Sequence, residues 1–260
     1  MIITLTTDFG YQDSFVGIMK GVIASINPQA RVIDITHGIS PQDILAGALT
    51  LRHSVKYFPP GTIHVTVVDP GVGGARQPLL MQGEGNYFLG PDNGVLSLAV
   101  ENVGSAHIVQ LTNPTYHLHP TSTTFHGRDI FAPAAAHLSL GIPVRAFGEP
   151  WDNIVRVSTP EVVRKERRIQ GEIVYIDQFG NLFTNIGEHD LSGQLLETLD
   201  IGIGSVRVHG LSQHYARAQE GEFVAVVNSW GLLEIAVYKD NAKQRTGARI
   251  GDKVEVVLPK

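Results

Sequence analysis

The sequence predicts two domains: an α/β N-terminal domain with a mostly parallel, doubly wound sheet, and a smaller all-β C-terminal domain, a barrel or sandwich. In residues 1–150, β-branched runs alternate with stretches whose apolar residues recur at helical spacing. From residue 169 to residue 260 only short β-type runs remain, and glycines separate them. The polar residues 151–168, with a basic run at their end, are expected to form a linker.

In the first domain, strands and helices are predicted to follow each other along the chain. The β-branched and apolar runs predict strands at Ile2–Thr7, Arg31–Thr36, Thr62–Val68, Leu79–Met81, Tyr87–Leu89 and His107–Leu111. Helical spacing predicts helices from the cap Asp13 to Ile26, from the cap Ser40 to Val55, over Val95–Val103 and over Arg128–Leu140. Because Thr62–Val68 is apolar at most positions, we expect that strand to be covered on both faces of the sheet.

In the second domain, short strands are predicted without intervening helices. Their segments are Ile169–Ile176, Leu182–Ile186, Ile201–Val208, Phe223–Val227, Leu233–Tyr238 and Lys253–Leu258.

Composition limits the classes of function. The chain has 260 residues, of which 43% are hydrophobic and 17% charged, as in a globular protein with a sizeable core. A net charge of −5 argues against nucleic-acid binding. The absence of cysteine excludes disulfides, thiolate catalysis and cysteine-ligated zinc, and it favours the cytoplasm. The N-terminus has the pattern of a strand and not of a signal peptide, and no apolar stretch is long enough to span a membrane.

The segment Thr66–Arg76 is the first candidate for chemistry. A β-branched run ends in Asp69, and a glycine-rich loop brings Arg76 seven residues later. Ligands of α/β proteins collect at the carboxyl ends of strands, so Asp69 is well placed to touch one. The alternative is a Pro-Gly turn that Asp69 merely caps. The loop lacks the Lys-Ser/Thr ending of a phosphate-binding loop.

Two further polar positions in the first domain are candidates. Asp8 follows the first strand and could grip a ribose diol, or it could close its own loop as an Asx turn. His126 precedes a predicted helix and could act as a base or as a hydrogen-bond donor near neutral pH. Otherwise His126 is an ordinary loop histidine with its hydrogen bonds satisfied.

The second domain offers two loops with the same ambiguity. Asp177–Asn181 is either a hairpin turn or a recognition loop, in which Phe179 stacks on a flat ring and Asn181 binds its edge. Asn228–Gly231 poses the same choice, and Glu234 lies on the strand after it. A metal site is not predicted, because His117 and His119 lack a third ligand at characteristic spacing. A nucleophile elbow for serine hydrolysis is also absent from the sequence.

With these segments in view, the chain resembles the S-adenosyl-L-methionine (SAM) hydroxide adenosyltransferases, or SAM hydrolases, which are relatives of the enzymes that fluorinate and chlorinate with the same substrate. The resemblance covers nearly the whole length. It rests on segments in the same order, namely Thr7–Gly10, Val68–Gly73, Phe125–Asp129, Asp177–Asn181 and Asn228–Ser229 with Glu234–Ala236. It implies an α/β domain followed by a β-type domain, and a homotrimer with active sites between neighbouring subunits. The implied reaction transfers the adenosyl group of SAM to water-derived hydroxide, giving adenosine and L-methionine, without a metal or separate cofactor.

The resemblance also implies roles for individual residues. Asp69, Arg76 and His126 correspond to the catalytic set of the family. Either Asp69 or His126 could accept the proton of water, whereas Arg76 stays protonated and would stabilise hydroxide or orient Asp69. The implied substrate-binding residues are Asp8 for the ribose hydroxyls, Phe179, Asn181 and the backbone near Ala242 for adenine, and Asp13, Asp177, Ser229 and Glu234 for the methionine part.

Two other functions remain to be weighed against hydrolysis. The halogenating relatives carry a tyrosine where this chain has Asp69, and the fluorinating ones carry a long insertion after the position of Tyr87, so the match favours water over halide. An aromatic residue of those relatives corresponds to Gln42, so stacking on adenine is not expected on that side. The third function is a non-catalytic SAM-binding or adenosine-binding protein, which would not need Asp69, Arg76 and His126 together.

Overall fold

The chain folds into two compact units, Met1–Ser158 and Thr159–Lys260. A computed structural model describes residues 1–83, 85–101, 107–193 and 196–259. The boundary lies inside the segment that was predicted to be a linker, and that segment is folded at both ends. Its first residues bind the first unit, where the Trp151 indole and the Val155 amide donate to Asp92 at 3.1 and 2.8 Å. Its later residues include a strand of the second unit, described below.

In its described residues, the first unit contains one sheet and three α-helices. Its strands are β1 Ile2–Thr7, β2 Arg31–Thr36, β3 Ile63–Val67, β4 Pro78–Gly83, β5 Asn86–Pro91 and β6 His107–Gln110. Its helices are α1 Phe15–Ile26, α2 Ile44–Val55 and α3 Ala132–Ser139. The strand order is β2-β1-β3-β5-β4-β6. The pairs of β1 with β2, β1 with β3 and β3 with β5 are parallel, and β4 is antiparallel to both of its neighbours. The sheet is therefore mixed.

Helix starts differ from the sequence predictions in three places. Asp43 caps α2, since its side chain accepts from the Ala46 amide, and the predicted cap Ser40 lies outside the helix. Helix α1 is preceded by Ser14 without a side-chain cap, so the predicted cap Asp13 was also wrong. The helix predicted over Arg128–Leu140 opens with a π-helical turn, Gly127–Phe131, before α3.

The helix predicted over Val95–Val103 does not form as such. Only a 3-10 turn, Ser97–Ala99, is present there, and residues 102–103 lie outside the described residues.

Alternation along the central strands gives the sheet two different faces. Ile3, Leu5, Ile63 and Val65 join the main core with α1 and α3. The intervening residues Thr4, Thr6, His64 and Thr66 are equally buried, and α2 packs against β1 and β3. The carboxyl ends of β1 and β3, which are neighbouring parallel strands, lie at the same edge of the sheet and carry Asp8 and Asp69 just beyond them.

Buried His64 makes stability depend on pH. Its ring stacks on Phe88, and its Nδ1 lies 2.8 Å from the Thr4 hydroxyl. Burial lowers its pKa from 6.5 to about 4, so the unfolded chain takes up this proton before the folded one does. His64 therefore stabilises least at acid pH: its share of the free energy of unfolding should fall by about 2 kcal/mol between about pH 7 and about pH 5. Urea unfolding of His64→Gln at both pH values should show a smaller pH dependence than the parent, and an equal dependence would contradict this.

The second unit is built on an antiparallel, barrel-like sheet. Its strands are β7 Val163–Lys165, β8 Arg168–Ile176, β9 Leu182–Gly187, β10 Asp200–Ile203, β11 Val206–His209, β12 Phe223–Val227, β13 Leu232–Val237 and β14 Lys253–Val257. The order is β11-β10-β14-β8-β9-β13-β12, with β7 beside β8. The outer strands β11 and β12 lie next to each other, and the Ser212 amide donates to the Ala225 carbonyl at 2.8 Å. The sheet is thus nearly closed. The segment predicted as one strand, Ile201–Val208, is instead the hairpin of β10 and β11.

The described part of this unit also has two short α-helices, α4 Glu188–Leu191 and α5 Ala242–Thr246. No helix in the described part of the chain is long and apolar enough to cross a membrane.

Candidate active site

Asp69 and Arg76 form a buried ion pair at the end of β3. Arg76 Nε donates to Asp69 Oδ1 at 3.0 Å, and Arg76 Nη2 donates to Asp69 Oδ2. The side chains are only 4% and 9% exposed, respectively. Such a two-pronged contact fixes both groups and is stronger than a single hydrogen bond. The turn alone does not need an arginine at this place, so the pair favours the functional interpretation of the segment.

His126 joins this pair through the same guanidinium. Arg76 Nη2 lies 2.7 Å from His126 Nδ1. Because arginine only donates, Nδ1 must accept, and the ring proton of the neutral imidazole is therefore assigned to Nε2. Burial, and next the charge of Arg76, lower the pKa of His126, while Asp69 and Asp129 oppose the shift. The lowered pKa and the hydrogen bond accepted by Nδ1 both favour the neutral form of His126. We call Asp69, Arg76 and His126 the Asp–Arg–His triad.

The loops that carry the triad are packed against each other at Gly73. Its φ of +75° favours glycine, and a Cβ at this position would lie 2.1 Å from the Thr123 carbonyl oxygen. The loop of Asp69 and Arg76 therefore touches the loop that leads to His126. Only a residue without a side chain permits this approach.

Replacing Gly73 by alanine should therefore separate the two loops. We expect Gly73→Ala to lower the free energy of unfolding by about 1–3 kcal/mol more than a matched substitution, because overpacking adds to backbone strain. The matched variant is Gly193→Ala, since Gly193 has a φ of +77° and a Cβ at that position would meet no atom of the described residues within 4 Å. Urea denaturation of both variants measures the difference. Equal losses would show that strain alone acts at Gly73.

Asp8 follows β1 and is half-buried. Its Oδ2 accepts from the Gln42 amide at 2.8 Å, where Gln42 has a left-handed φ of +68°. The hydrogen bond ties the exit of β1 to the separate loop before α2 and does not close the loop of Asp8 itself, as an Asx turn would. Oδ1 is the oxygen not used in this bond. The neighbouring Phe9 contacts Phe125 at 5.9 Å between ring centroids. The residue after Asp8 thus packs on the residue before His126.

The buried His37 is hydrogen-bonded to the last residue of β1. His37 Nδ1 lies 2.8 Å from the Thr7 hydroxyl, and His37 Nε2 lies 3.2 Å from Asp34. Lys20 binds the same carboxylate at 2.6 Å. This group was missed in the sequence, because its members come from three separate elements.

Asp13, which the resemblance implies as a contact of the methionine part, is exposed and lies just before α1.

In the second unit, the Asp177 carboxylate organises its own loop. Oδ1 accepts from the amides of Phe179 and Asn181 at 2.9 and 2.8 Å, and Oδ2 accepts from the Asn181 side chain at 3.0 Å. These bonds leave the Phe179 ring 73% exposed. The loop is therefore the tight hairpin turn of the first interpretation, with Phe179 exposed at its tip.

A second loop packs on this turn and completes a cavity of about 490 Å³. A side chain at Gly180 would overlap Asn241, and the Lys243 amide donates to the Gly180 carbonyl at 2.9 Å. The turn is thereby brought beside the buried Ala242. The cavity is lined by Phe179, Asn181, Tyr215, Val237, Tyr238, Lys239, Asp240 and Asn241. Tyr215, Tyr238 and Asn241 were not named from the sequence, because Tyr238 ends a predicted strand and no motif marks Tyr215 or Asn241.

Glu234 is buried and holds the Tyr215 hydroxyl by a hydrogen bond. It is 1% exposed, and the Tyr215 hydroxyl donates to its Oε1 at 2.8 Å. Burial raises the pKa of Glu234, and the charge of Asp177 raises it further. Ser229, in the turn before β13, is exposed. Among the described residues, no three acidic or histidine side chains are grouped as metal ligands.

Comparison with known proteins gives one consistent family. The model for the SAM hydroxide adenosyltransferase N-terminal domain matches residues 3–148, and the model for the C-terminal domain of the same family matches residues 171–255. A protein of Salinispora arenicola named (R)-S-adenosyl-L-methionine hydrolase is 39% identical, over 98% of this chain and 97% of its own. A protein of the same name from Methanocaldococcus jannaschii is 34% identical, over 98% and 95%.

More distant and structural relatives agree with this. A protein of Nocardia brasiliensis named fluorinase is 29% identical, over 90% of this chain and 89% of its own. The crystal structure of an uncharacterized conserved protein from Thermotoga maritima matches with a TM-score of 0.91 at 35% identity, over 99% of this chain and 100% of that one. The chain belongs to the SAM hydroxide adenosyltransferase family.

Proposed function

We propose that this protein hydrolyses SAM to adenosine and L-methionine. The observation that carries the proposal is the buried Asp69 carboxylate, held by Arg76 next to the neutral His126 at the carboxyl end of β3. The similarity to proteins named (R)-S-adenosyl-L-methionine hydrolase over nearly the full length supports the same substrate. The acid at position 69 supports water, and not halide, as the source of the nucleophile.

The chemistry needs a nucleophile in place rather than an acid for the leaving group. The water oxygen forms a bond to C5′ of the ribose while the bond from C5′ to sulfur breaks. The electron pair of the C5′–sulfur bond goes to sulfur. Methionine leaves as a neutral thioether, so no proton has to be delivered to it. One proton of the water must be removed. Catalysis is then a matter of positioning and electrostatics.

The hydrogen-bond directions in the triad support Asp69 as the acceptor of that proton. Arg76 can only donate, and His126 Nδ1 already accepts from Arg76. Each Asp69 oxygen receives one hydrogen bond from Arg76 and retains capacity to accept another. His126 Nε2–H would then donate to the attacking oxygen. A neutral histidine also avoids placing another positive charge near the sulfonium.

Substrate recognition is proposed to come from both units. Asp8 would bind the ribose hydroxyls through its remaining oxygen. Phe179, Asn181 and the backbone near Ala242 would bind adenine, supported by the aromatic and amide lining of the cavity. Asp13, Asp177 and Ser229 would contact the methionine part. Since Glu234 is buried against Tyr215, we propose that it acts through that tyrosine rather than by direct contact.

We propose in addition a homotrimer with active sites between subunits, located in the cytoplasm and working without a metal or separate cofactor. The support is family membership. Light scattering of the purified protein tests the trimer, and turnover in the presence of a chelator tests the metal.

Product analysis tests the reaction directly. Purified protein is incubated with SAM in water enriched in oxygen-18, and the products are separated and their masses are measured by mass spectrometry. We expect adenosine with one labelled oxygen at C5′, together with unlabelled methionine. A halogenated adenosine that forms only with added halide would instead indicate a halide-using enzyme. Bound but unchanged SAM would indicate a binding protein and overturn the proposal.

A further inference from the structure

The turn Pro91–Gly94 contacts both ends of the loop that carries Asp69 and Arg76. The Asn93 side-chain amide donates to the Val68 carbonyl at 2.8 Å, directly before Asp69. The Asp92 backbone amide donates to the Gln77 carbonyl at 2.8 Å, directly after Arg76. The two bonds come from adjacent residues and bracket the whole loop.

The Val68 carbonyl needs such a donor because the sheet has ended there. The pairing of β1 with β3 ends at Thr7 and Val67, and the pairing of β3 with β5 ends two residues earlier, at Val65. Val68 is nevertheless completely buried. A buried carbonyl beyond its strand partners is normally satisfied by a side chain or by water. Asn93 supplies the hydrogen bond that a neighbouring strand would otherwise provide.

The turn is itself held firmly. Asn93 Oδ1 accepts from the Val95 amide at 3.2 Å, and the buried Asp92 carboxylate accepts from Trp151 and Val155. At Gly94, with a φ of +100°, a Cβ would lie 2.7 Å from the Val157 amide nitrogen. A rigid turn of this kind can fix the position of the loop that it contacts.

We infer that Asn93 is a positioning residue of the reaction, which sets the place of Asp69 and Arg76 relative to His126 by fixing the backbone at Val68. This inference rests on the proposed function. Asn93 does not touch the substrate in this mechanism; it acts through the loop. Misplacement of a catalytic group by about 1 Å can cost about 100-fold in rate.

The chain contains a matched control for this residue. The Asn113 side chain donates to the Ala146 carbonyl at 2.8 Å and accepts from the Thr115 amide at 3.0 Å. These are the same two kinds of bond as at Asn93, in the same unit, but neither one reaches the triad loop. Asn93→Leu and Asn113→Leu remove both bonds without adding charge. Their structural costs should be similar.

The test compares turnover with the titration of His126. Parent, Asn93→Leu and Asn113→Leu are assayed with SAM, and the His126 ring signal is followed by NMR against pH, with His126→Gln for its assignment. In Asn93→Leu we expect kcat to fall by about tenfold or more with a smaller change in KM, and the pKa of His126 to move towards 6.5 as Arg76 withdraws. Asn113→Leu should leave both at the parent values.

Both changes must occur together for Asn93 to be a positioning residue. If kcat of Asn93→Leu equals that of Asn113→Leu, or if kcat falls while the His126 titration stays, the inference is wrong. Should Asn93→Leu not fold, Asn93→Ala removes the same donor and is measured in the same way. Should the parent not hydrolyse SAM, the proposed function has failed, and the titration alone then reports whether the turn positions the triad.

Discussion

Replacing Asp69 by asparagine should lower turnover of SAM by about 100- to 10,000-fold, the range that general base catalysis contributes. Asparagine keeps the shape of the side chain but accepts with one atom only, so it loses the oxygen that would take the proton of water. Its amide would also face Arg76 Nη2, donor against donor. Steady-state kinetics give kcat and KM, and calorimetry gives the affinity for SAM, which should change far less than kcat.

An exposed pair of the same chemistry provides the control. Arg168 binds Glu255 at 2.9 Å in the outer part of the second unit. Glu255→Gln removes a carboxylate from an arginine just as Asp69→Asn does, but we expect turnover to stay at the parent value. If Asp69→Asn retains parent turnover while folding normally, Asp69 is not the group that accepts the proton.

The sequence predicted most of the sheet architecture because strand and helix signals are local. Strands β1, β2 and β3 were predicted within one residue, and the pair β4 and β5 was predicted at its centre, since β-branched and apolar runs bounded by turn residues need no distant information. The caps of α1 and α2 were missed by one and three residues, because several Ser and Asp residues in a row can each start a helix. The hairpin of β10 and β11 was missed because its turn, Gly204–Ser205, is only two residues long, and the apolar residues on both sides of it resemble one continuous strand.

The residues of the candidate site could be named from the sequence, but their mutual geometry could not. Asp69, Arg76 and His126 could be named from segments and a family resemblance, but their mutual hydrogen bonds depend on how two loops meet at Gly73. The direction of these bonds, which makes His126 Nδ1 an acceptor, was therefore left open. Tyr215 and Asn93 were missed for the same reason: each acts on a partner at least 19 residues away in the chain.

Replacing Arg76 by lysine should lower kcat by about 100-fold although the charge is kept. The guanidinium makes three contacts with fixed geometry, two to Asp69 and one to His126, and it lies over the Phe131 ring at 5.9 Å. An ammonium group is a point charge on a flexible stem and cannot reproduce a planar fork. Asp69 and His126 would then no longer be held in one arrangement, and misplacement of this kind costs about two orders of magnitude.

The exposed pair again separates this effect from a general effect of the substitution. Arg168→Lys makes the same change opposite Glu255, where the side chain of Arg168 is 65% exposed, and surface ion pairs contribute little. We expect its kcat to equal that of the parent. Stopped-flow and steady-state assays of both variants measure the difference. A lysine at position 76 that supports parent turnover would mean that only the positive charge matters, and the bidentate geometry at Asp69 would then have no role in making water nucleophilic.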